Sequence, residues 1–369
     1  MTLADSLALL LRPAGGGVHL VSSGLEAQRA LQRRLYQAAG DEEVASRWRR
    51  DLEAAGRAPL VLLGIPSDAG GGLQRGANLG PAALRAQLLD DHPGPLRRLR
   101  EAGLVDLGDV LVVPQLLEDA MLAPAQLEAV RRALHPDLDD EARGALPVSP
   151  LDVAERALSL VLAENPRARV VALGGDHSTA LPVVRALARV RPGLAVVQVD
   201  AHTDLLPERL GIRHCFGTWA FHANDLLGRG GRLVQFGIRA SAHDQRHWES
   251  ALGVRQLWAA EVRRDAAAAV EAVVAALRAA DARSAYLSND IDGTDPTFAD
   301  ATGTPEPDGL SPETVSLLVR RLGEEVGLCG GDVMEVAPGV ARSPGGAART
   351  LEVSARYLLQ TLEAALHGR

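Results

Sequence analysis

The chain has 369 residues, of which 47 % are apolar and 23 % are charged, and its formal net charge is −8. These values are typical of a globular protein with a large core, and the negative charge does not indicate nucleic acid or an anionic membrane as a partner. Because the sequence contains no lysine, chemistry that depends on a Schiff-base or P-loop lysine is excluded.

The cysteines and the N-terminus bear on the compartment. Cys215 and Cys329 are too far apart in sequence to indicate a disulfide framework or a cysteine zinc site. The N-terminus shows no positively charged signal segment, and no apolar run reaches the roughly 18 residues that a membrane span requires. We therefore expect a cytoplasmic enzyme with no membrane partner.

Residues 1–58 are predicted to form a helical extension in front of the main domain. The first 11 residues have the composition of a short helix, which Gly15, Gly16 and Gly17 would end. The segment Glu26–Ala55 also has helical composition, with Arg and Glu on its outer faces. We expect this extension to pack on the main body or on another subunit, and it carries no residues that indicate chemistry.

Residues 59–369 alternate apolar runs with helical segments and are predicted to form one domain. Strands are expected at Pro59–Ile65, Leu104–Asp109, Val170–Leu173, Leu194–Gln198, Leu233–Ile238, Ala285–Leu287 and within Gly327–Val336. Strands that alternate with helices indicate a mostly parallel sheet covered on both faces. The predicted fold is therefore a three-layer α/β/α sandwich.

The stretch Val199–Asp204 follows one of these strands and carries the first candidate site. If the extended geometry continues, Asp200, His202 and Asp204 point the same way, since side chains at i, i+2 and i+4 share a face. Two carboxylates and an imidazole suit a divalent metal ion. Taken alone, this stretch fits equally well a polar exit from a strand with solvated side chains.

Two further strands end in the same kinds of residue. His177 follows the Val170 strand, and Asp290 and Asp292 follow the Ala285 strand. The carboxyl ends of parallel strands face one crevice, so four Asp and two His are expected to meet there. One cation would not neutralise so much carboxylate, whereas two would. Carboxylate-rich ligation favours Mn or Mg over zinc, and two imidazoles favour Mn over Mg.

These motifs resemble the three signatures of the ureohydrolase family, which includes arginase, agmatinase and formimidoylglutamase. The signatures are Gly174–Ser178, Asp200–Asp204 and Ser288–Pro296, and weaker matches occur at Gly76–Pro81, Thr302–Leu310 and Asp332–Pro338. The resemblance covers Pro59 to the C-terminus. It implies an arginase-like fold with an eight-stranded, mostly parallel sheet, two Mn²⁺ ions per chain, and a homo-oligomer, either a trimer or a hexamer.

The resemblance also implies roles for individual residues. One ion would be held by His177, Asp200, Asp204 and Asp290, and the other by His202, Asp200, Asp290 and Asp292, with Asp200 and Asp290 bridging. Catalytic roles would belong to Asp204, which passes a proton, to His214, which shuttles protons, and to Glu335, which pairs with a guanidinium. The alternatives are a surface glutamate at a strand end for Glu335, and a histidine bonded to a loop carbonyl for His214.

The implied reaction is hydrolysis of a guanidino C–N bond in a small molecule, which yields urea and an amine. A formimidoylglutamase-type hydrolase and a non-catalytic scaffold remain as alternatives. The loop at residues 205–218 departs from the family pattern, so the substrate stays open. Asn289 also stands where an apolar residue is usual, but its side chain is expected to alternate away from Asp290 and Asp292, so metal binding need not suffer. Arg209 and Arg213 on the loop would suit a substrate with a carboxylate tail, although Glu208 argues against it.

Overall fold

The computed structural model describes residues 1–18, 20 and 22–368, and in them nine strands form one sheet. Four of its central strands carry the motifs identified above. The strands are β1 Leu11–Arg12, β2 Leu60–Ile65, β3 Leu104–Val110, β4 Arg169–Gly174, β5 Leu194–Val199, β6 Leu233–Ile238, β7 Arg255–Trp258, β8 Ser284–Asp290 and β9 Leu328–Met334. Their order across the sheet is β1-β3-β2-β4-β9-β8-β5-β6-β7. Only β1 is antiparallel to its neighbour, so the sheet is mostly parallel, as expected.

Helices cover both faces of the sheet and complete the α/β/α sandwich. They are α1 Leu3–Leu10, α2 Leu25–Tyr36, α3 Asp41–Ala54, α4 Gly80–Asp91, α5 Pro93–Glu101, α6 Pro124–Leu134, α7 Asp140–Gly144, α8 Pro150–Glu164, α9 Ala180–Ala188, α10 Trp219–Leu226, α11 Gln245–Leu252, α12 Ala259–Arg264, α13 Ala266–Ala279, α14 Pro312–Glu325 and α15 Gly346–His367. Short 3₁₀ turns occur at Ala55–Arg57, Ala77–Leu79, Asp119–Met121, His177–Thr179, Ile291–Gly293 and Pro338–Val340. Within the described ranges, no helix combines the length and apolar character that crossing a membrane would require.

Two hydrophobic cores lie on the two faces of the sheet, because successive side chains of a strand point to opposite sides. On β2, Val61 and Leu63 belong to one core, and Leu60 and Leu62 belong to the other. All four side chains are buried. Strands buried on both faces explain the continuous apolar runs of the sequence.

The N-terminal segment is helical but is more closely joined to the main body than a separate extension would be. Strand β1 pairs with β3, so the sheet has nine strands where eight were expected; the additional one is the antiparallel strand. Leu7 and Leu52 are fully buried in the same core as Val61. The indole of Trp48 donates to the carbonyl of Leu107 at 2.9 Å. The division between residues 1–58 and 59–369 itself stays a prediction.

Candidate metal centre

The candidate metal ligands lie at the carboxyl ends of three of four adjacent strands, β4, β9, β8 and β5. His177 follows β4, Asp290 ends β8 and Asp200 follows β5, while Glu335 follows β9. Parallel strands bring these ends to one edge of the sheet, which is where α/β proteins bind ligands. The six predicted metal ligands therefore meet, as their position in the sequence indicated.

The first group surrounds the imidazole of His177. Its Nδ1 atom lies 3.1 Å from Asp200 Oδ2, 3.0 Å from Asp290 Oδ2 and 3.5 Å from Asp204 Oδ2. This Nδ1 is buried and forms no hydrogen bond with any described residue. A ring nitrogen that converges with three carboxylates but bonds to none of them fits a shared cation.

The second group surrounds His202. Its Nδ1 lies 3.0 Å from Asp292 Oδ2 and 3.6 Å from Asp200 Oδ1. The ligand atoms of His202, Asp200 and Asp292 are close enough to hold one ion, as are those of His177, Asp200 and Asp290. Asp200 belongs to both groups and presents one carboxylate oxygen to each imidazole. Its predicted bridging position is therefore geometrically available, whereas Asp290 belongs to only one of these three-residue groups.

A hydrogen-bond chain orients His177. Its Nε2 lies 2.9 Å from Ser288 Oγ, and Ser288 donates to Asp332 at 3.0 Å. Because the single hydroxyl hydrogen of Ser288 goes to Asp332, the hydroxyl must accept from the Nε2–H of His177. The lone pair of the ring then sits on Nδ1, which faces the carboxylates. Partners of this kind fix the tautomer of metal-binding histidines.

Repulsion between the buried carboxylates raises the free energy of the centre when no cations are bound. Burial, followed by the charge of Asp200, raises the pKa of Asp204, and burial with the charges of Asp292 and Asp200 raises the pKa of Asp290. Burial would also raise the pKa of Asp200, but its contacts with His177 and His202 outweigh burial and hold that pKa below its usual value. Divalent cations would relieve this repulsion between carboxylates.

Two side chains border the centre on strained backbone. Asp204 has φ 52° and Glu335 has φ 60°, in the left-handed region that residues other than glycine rarely adopt. Trp219 donates from its indole to Asp204 Oδ2 at 2.9 Å and stacks on His177 with ring centroids 4.5 Å apart. No sequence motif indicated Trp219, which begins α10.

Glu335 lies against the first group rather than on an open surface. It accepts the backbone N–H of His177 at 3.0 Å, and its own N–H donates to Gly175 O at 2.9 Å. Burial, with the nearby charges of Asp290 and Asp176, raises the pKa of Glu335. Gly175 is required here because a Cβ atom would lie 1.7 Å from the carbonyl oxygen of Ser67.

His214 is buried in a different set of contacts. Its Nδ1 lies 2.5 Å from Glu118 Oε2, and its Nε2 lies 3.0 Å from Arg185 Nη2. Since arginine can only donate, Nε2 accepts and Nδ1–H donates to Glu118. Neither nitrogen contacts a metal-centre residue within the described ranges. The proton-shuttle role of His214 stays a prediction, and the interpretation as a histidine bonded to a carbonyl is wrong.

Residues that the motifs did not single out complete the rim around Asp292. Thr304 donates to its Oδ2 at 3.1 Å, and Arg239 donates to its carbonyl at 2.6 Å. Glu306 Oε1 lies 3.7 Å from His202 Nε2. Thr304 and Glu306 belong to the Thr302–Leu310 segment, whose resemblance could have indicated them, whereas Arg239 had no signal.

A cavity of about 360 Å³ lies beside the loop at residues 205–218. Its lining includes Arg75, Glu118, Arg209 and Phe216, and the guanidinium of Arg209 lies 5.2 Å from the centre of the Phe216 ring. Gly70 also lines the cavity and donates to Asp176, the residue before His177, at 3.0 Å. Gly70 therefore links the cavity to the residue before His177, although none of the six predicted ligands lines the cavity.

Comparison with known proteins agrees with this geometry. Residues 58–362 match the Arginase family. Proclavaminate amidinohydrolase of Streptomyces clavuligerus is 32 % identical over 76 % of this chain and 80 % of its own length. The guanidinopropionase of Pseudomonas aeruginosa is 34 % identical over 75 % and 78 %, and the agmatinase of Bacillus anthracis is 28 % identical over 76 % and 83 %.

Solved structures show the same fold. The structure of proclavaminate amidino hydrolase from Streptomyces clavuligerus has a TM-score of 0.64 at 29 % identity, over 84 % of this chain and 93 % of that one. The formimidoylglutamase of Bacillus subtilis has a TM-score of 0.66 at 19 % identity, over 84 % and 88 %, and shows a likeness of fold alone. The chain thus belongs to the arginase family and is a hydrolase that acts on amidino C–N bonds.

Proposed function

We propose that the protein is a binuclear manganese hydrolase that converts a small guanidino acid into urea and an amino acid. The observation that carries this proposal is the pair of ligand groups that share Asp200, with Glu335 at their border. Six ligands, four carboxylates and two imidazoles, support manganese over zinc or magnesium. The roles of all six ligands, and of Asp204, His214 and Glu335 in catalysis, are part of the proposal.

The residues present fit two divalent ions. His177, Asp200, Asp204 and Asp290 would hold one, and His202, Asp200, Asp290 and Asp292 would hold the other. Two ions bound there would lower the pKa of a water molecule, so that a strong nucleophile exists near neutral pH. The unbonded Nδ1 of His177 supports this assignment, since its lone pair already faces three carboxylates.

The protein's own residues would orient the substrate and move protons. Glu335 would accept two N–H groups of the planar guanidinium, a bidentate contact that fixes the plane of the reacting carbon. Asp204 would accept a proton from the attacking water and pass it to the leaving nitrogen, because an amine leaves readily only when it is protonated. The Trp219 indole that donates to Asp204 would hold this carboxylate in place.

The cavity beside the loop supports a substrate with a carboxylate tail. Arg75 and Arg209 both line it, and a guanidinium fork suits a carboxylate. Arg213, the other arginine of the loop, is exposed and is not part of the lining. The relatives named guanidinopropionase and guanidinobutyrase support this substrate class, whereas those named agmatinase support a dication.

A screen of product release tests the proposal. The manganese-loaded protein should release urea from guanidinobutyrate or guanidinopropionate faster than from arginine or agmatine, and Arg209→Gln should raise the KM for the acid while Arg213→Gln should not. Faster turnover of agmatine than of every guanidino acid would refute the substrate class. Release of formamide from formimidoylglutamate without any urea from guanidino compounds would refute the reaction, and no metal-dependent hydrolysis at all would favour a scaffold.

We further propose that the protein is a cytoplasmic homo-oligomer, a trimer or a hexamer, in keeping with the family resemblance. Light scattering on the metal-loaded protein should give three or six times the 38.9 kDa mass of one chain. A monomeric mass would contradict this part of the proposal and leave the reaction untouched.

A further inference from the structure

Three glutamines form a row across the sheet beside the metal centre. Gln198 on β5 pairs in register with Gln235 on β6, which pairs with Gln256 on β7. All three are fully buried. Buried amides in the middle of apolar strands are costly unless their hydrogen bonds are satisfied.

The three side chains bond to one another in a continuous chain that ends at the metal centre. Gln256 Nε2 donates to Gln235 Oε1 at 2.7 Å, and Gln235 Nε2 donates to Gln198 Oε1 at 2.6 Å. Gln198 Nε2 then donates to Asp200 Oδ2 at 2.7 Å. At the other end of this hydrogen-bonded row, Trp258 Nε1 donates to Gln256 Oε1 at 3.0 Å.

The indole of Trp258 fixes the donor and acceptor orientation of all three glutamine side chains. An indole N–H can only donate, so the atom of Gln256 that faces it must be the oxygen. Each amide in turn then presents its oxygen to the preceding residue and its NH₂ to the next. Gln235 also donates to the backbone carbonyl of Thr203 at 2.6 Å, which requires the same orientation.

The chain ends on the carboxylate that both ligand groups share. Asp200 Oδ2 receives the Gln198 bond and faces His177, while Asp200 Oδ1 accepts the backbone N–H of His202 at 2.6 Å. The two oxygens are thus held apart, one toward each imidazole. Aligned hydrogen bonds in a buried environment polarise one another, so the last donor is stronger than an isolated amide.

We propose that Gln198, Gln235 and Gln256 are positioning residues that set the affinity of the centre for its metal ions by holding Asp200 in the bridging orientation. The inference rests on the proposed metal centre but not on the substrate. It accounts for three buried polar residues at one register position of neighbouring strands, which packing alone does not require. Loss of an outer hydrogen-bond partner of a metal ligand typically weakens metal binding by about 10- to 100-fold.

Methionine substitutions test the hydrogen-bonded row, because methionine is close to glutamine in size but cannot donate a hydrogen bond. Mn²⁺ titrations followed by electron paramagnetic resonance should show a weaker affinity in Gln235→Met, by at most the roughly 10- to 100-fold expected for loss of a direct partner of a ligand, and a smaller loss in Gln256→Met. The KM for the substrate at saturating Mn²⁺ should stay unchanged in both. A loss that diminishes with distance from Asp200 is what a transmitted effect predicts.

Asn289→Leu is the matched control. Asn289 is also a buried amide of the sheet, but it is not part of the hydrogen-bonded row of glutamines. It should retain the wild-type Mn²⁺ affinity. Wild-type affinity in Gln235→Met would overturn the inference, as would equal losses in Gln256→Met and Asn289→Leu. Thermal melting verifies that each variant is folded. A wild-type protein that binds two Mn²⁺ but releases no urea would contradict the proposed function alone.

Discussion

Glu335 is held in place by its backbone as much as by its side chain. Its positive φ and the two hydrogen bonds to Gly175 and His177 aim the carboxylate along the edge of the first ligand group. Strained conformations of this kind persist where the surroundings determine them, and they are concentrated at active sites. Asp204 also combines a positive φ with a hydrogen bond that holds its carboxylate, donated by Trp219.

Glu335→Gln tests the guanidinium contact. The substitution keeps the shape but removes the charge, and a hydrogen bond to a charged group contributes about 1.5–3 kcal/mol. We expect kcat/KM to fall by roughly tenfold to a hundredfold, with the manganese content unchanged. Steady-state kinetics and metal analysis measure the two quantities, and full activity in this variant would remove Glu335 from the mechanism.

His214→Asn separates proton transfer from loop positioning. A shuttle role predicts a loss of kcat of about 10²- to 10⁴-fold with both metals retained, and partial rescue by added imidazole. If His214 only positions the loop, Glu118→Gln should reproduce the defect, because the bond between His214 Nδ1–H and Glu118 is lost in His214→Asn and weakened in Glu118→Gln. Equal defects in the two variants, with no imidazole rescue, would reject the shuttle.

Asp51 on α3 gives stability a dependence on pH. Burial, followed by the charge of Asp106, raises the pKa of Asp51 to about 6 in the folded protein, above its ordinary value of 3.8. Its contribution to stability is therefore full below pH 4 and is lost as the pH rises through 6. Asp51→Asn should be more stable than the wild type at pH 8, with a smaller advantage at pH 5. A constant difference in urea midpoint across this range would contradict the assignment.

Strand β8 shows how one element serves two environments. Ser288 and Asp290 face the metal centre, while Leu287 and Asn289 point to the opposite side of the sheet. The amide of Asn289 is fully buried, and neither of its polar atoms has a partner among the described residues. The departure at this position was visible in sequence, as was the alternation that points its side chain away from the ligands.

Asn289→Leu should stabilise the fold. A buried polar group without a partner costs about 1–3 kcal/mol, and leucine has the same branching and number of side-chain heavy atoms as asparagine, so the free energy of unfolding should rise by up to about that amount. Urea denaturation measures the change, and Asn289→Ala is the control, because it removes the amide but leaves a cavity. An unchanged or lower stability in Asn289→Leu would indicate that the amide has a partner such as a bound water.

The sequence predicted those elements whose pattern is local. The seven expected strands are present, because strands buried on both faces give continuous apolar runs. Strand β7 was missed, since its four residues include Arg255 and Gln256, whose polar character hides a strand. The buried amide of Gln256 is satisfied by its bonds to Gln235 and Trp258, and the bond to Gln235 joins two strands, which a sequence pattern does not reveal.

The candidate site likewise contains residues that a sequence pattern indicates and residues that it does not. The six predicted ligands follow from strand ends and i, i+2 spacing, so their convergence could be expected from sequence. Trp219 and Arg239 reach the centre from segments that are distant in the chain, and no spacing rule indicates them. The contacts of His214 with Glu118 and Arg185 depend on how the loop folds back, which neither composition nor motif determines.

At the scale of the whole molecule, metal binding should couple to folding. The buried carboxylates repel one another without cations, and an ion that binds only the folded state stabilises it by about 2.7 kcal/mol at a concentration 100 times its Kd. Chelation should therefore lower the melting temperature, and Mn²⁺ should restore it. In Asp290→Asn, which lacks one carboxylate charge of the centre, the melting temperature should change less on chelation and on addition of Mn²⁺. A melting temperature that does not change on chelation would contradict metal binding at this centre.

The short strand β1 has a consequence for the behaviour of the protein in concentrated solution. By pairing with β3, Leu11 and Arg12 occupy backbone groups that would otherwise form an open sheet edge, where a second molecule could add its own strand. The opposite edge, β7, is only four residues long and offers little to pair with. Two residues near the start of the chain thus help to keep neighbouring molecules from joining their sheets into aggregates.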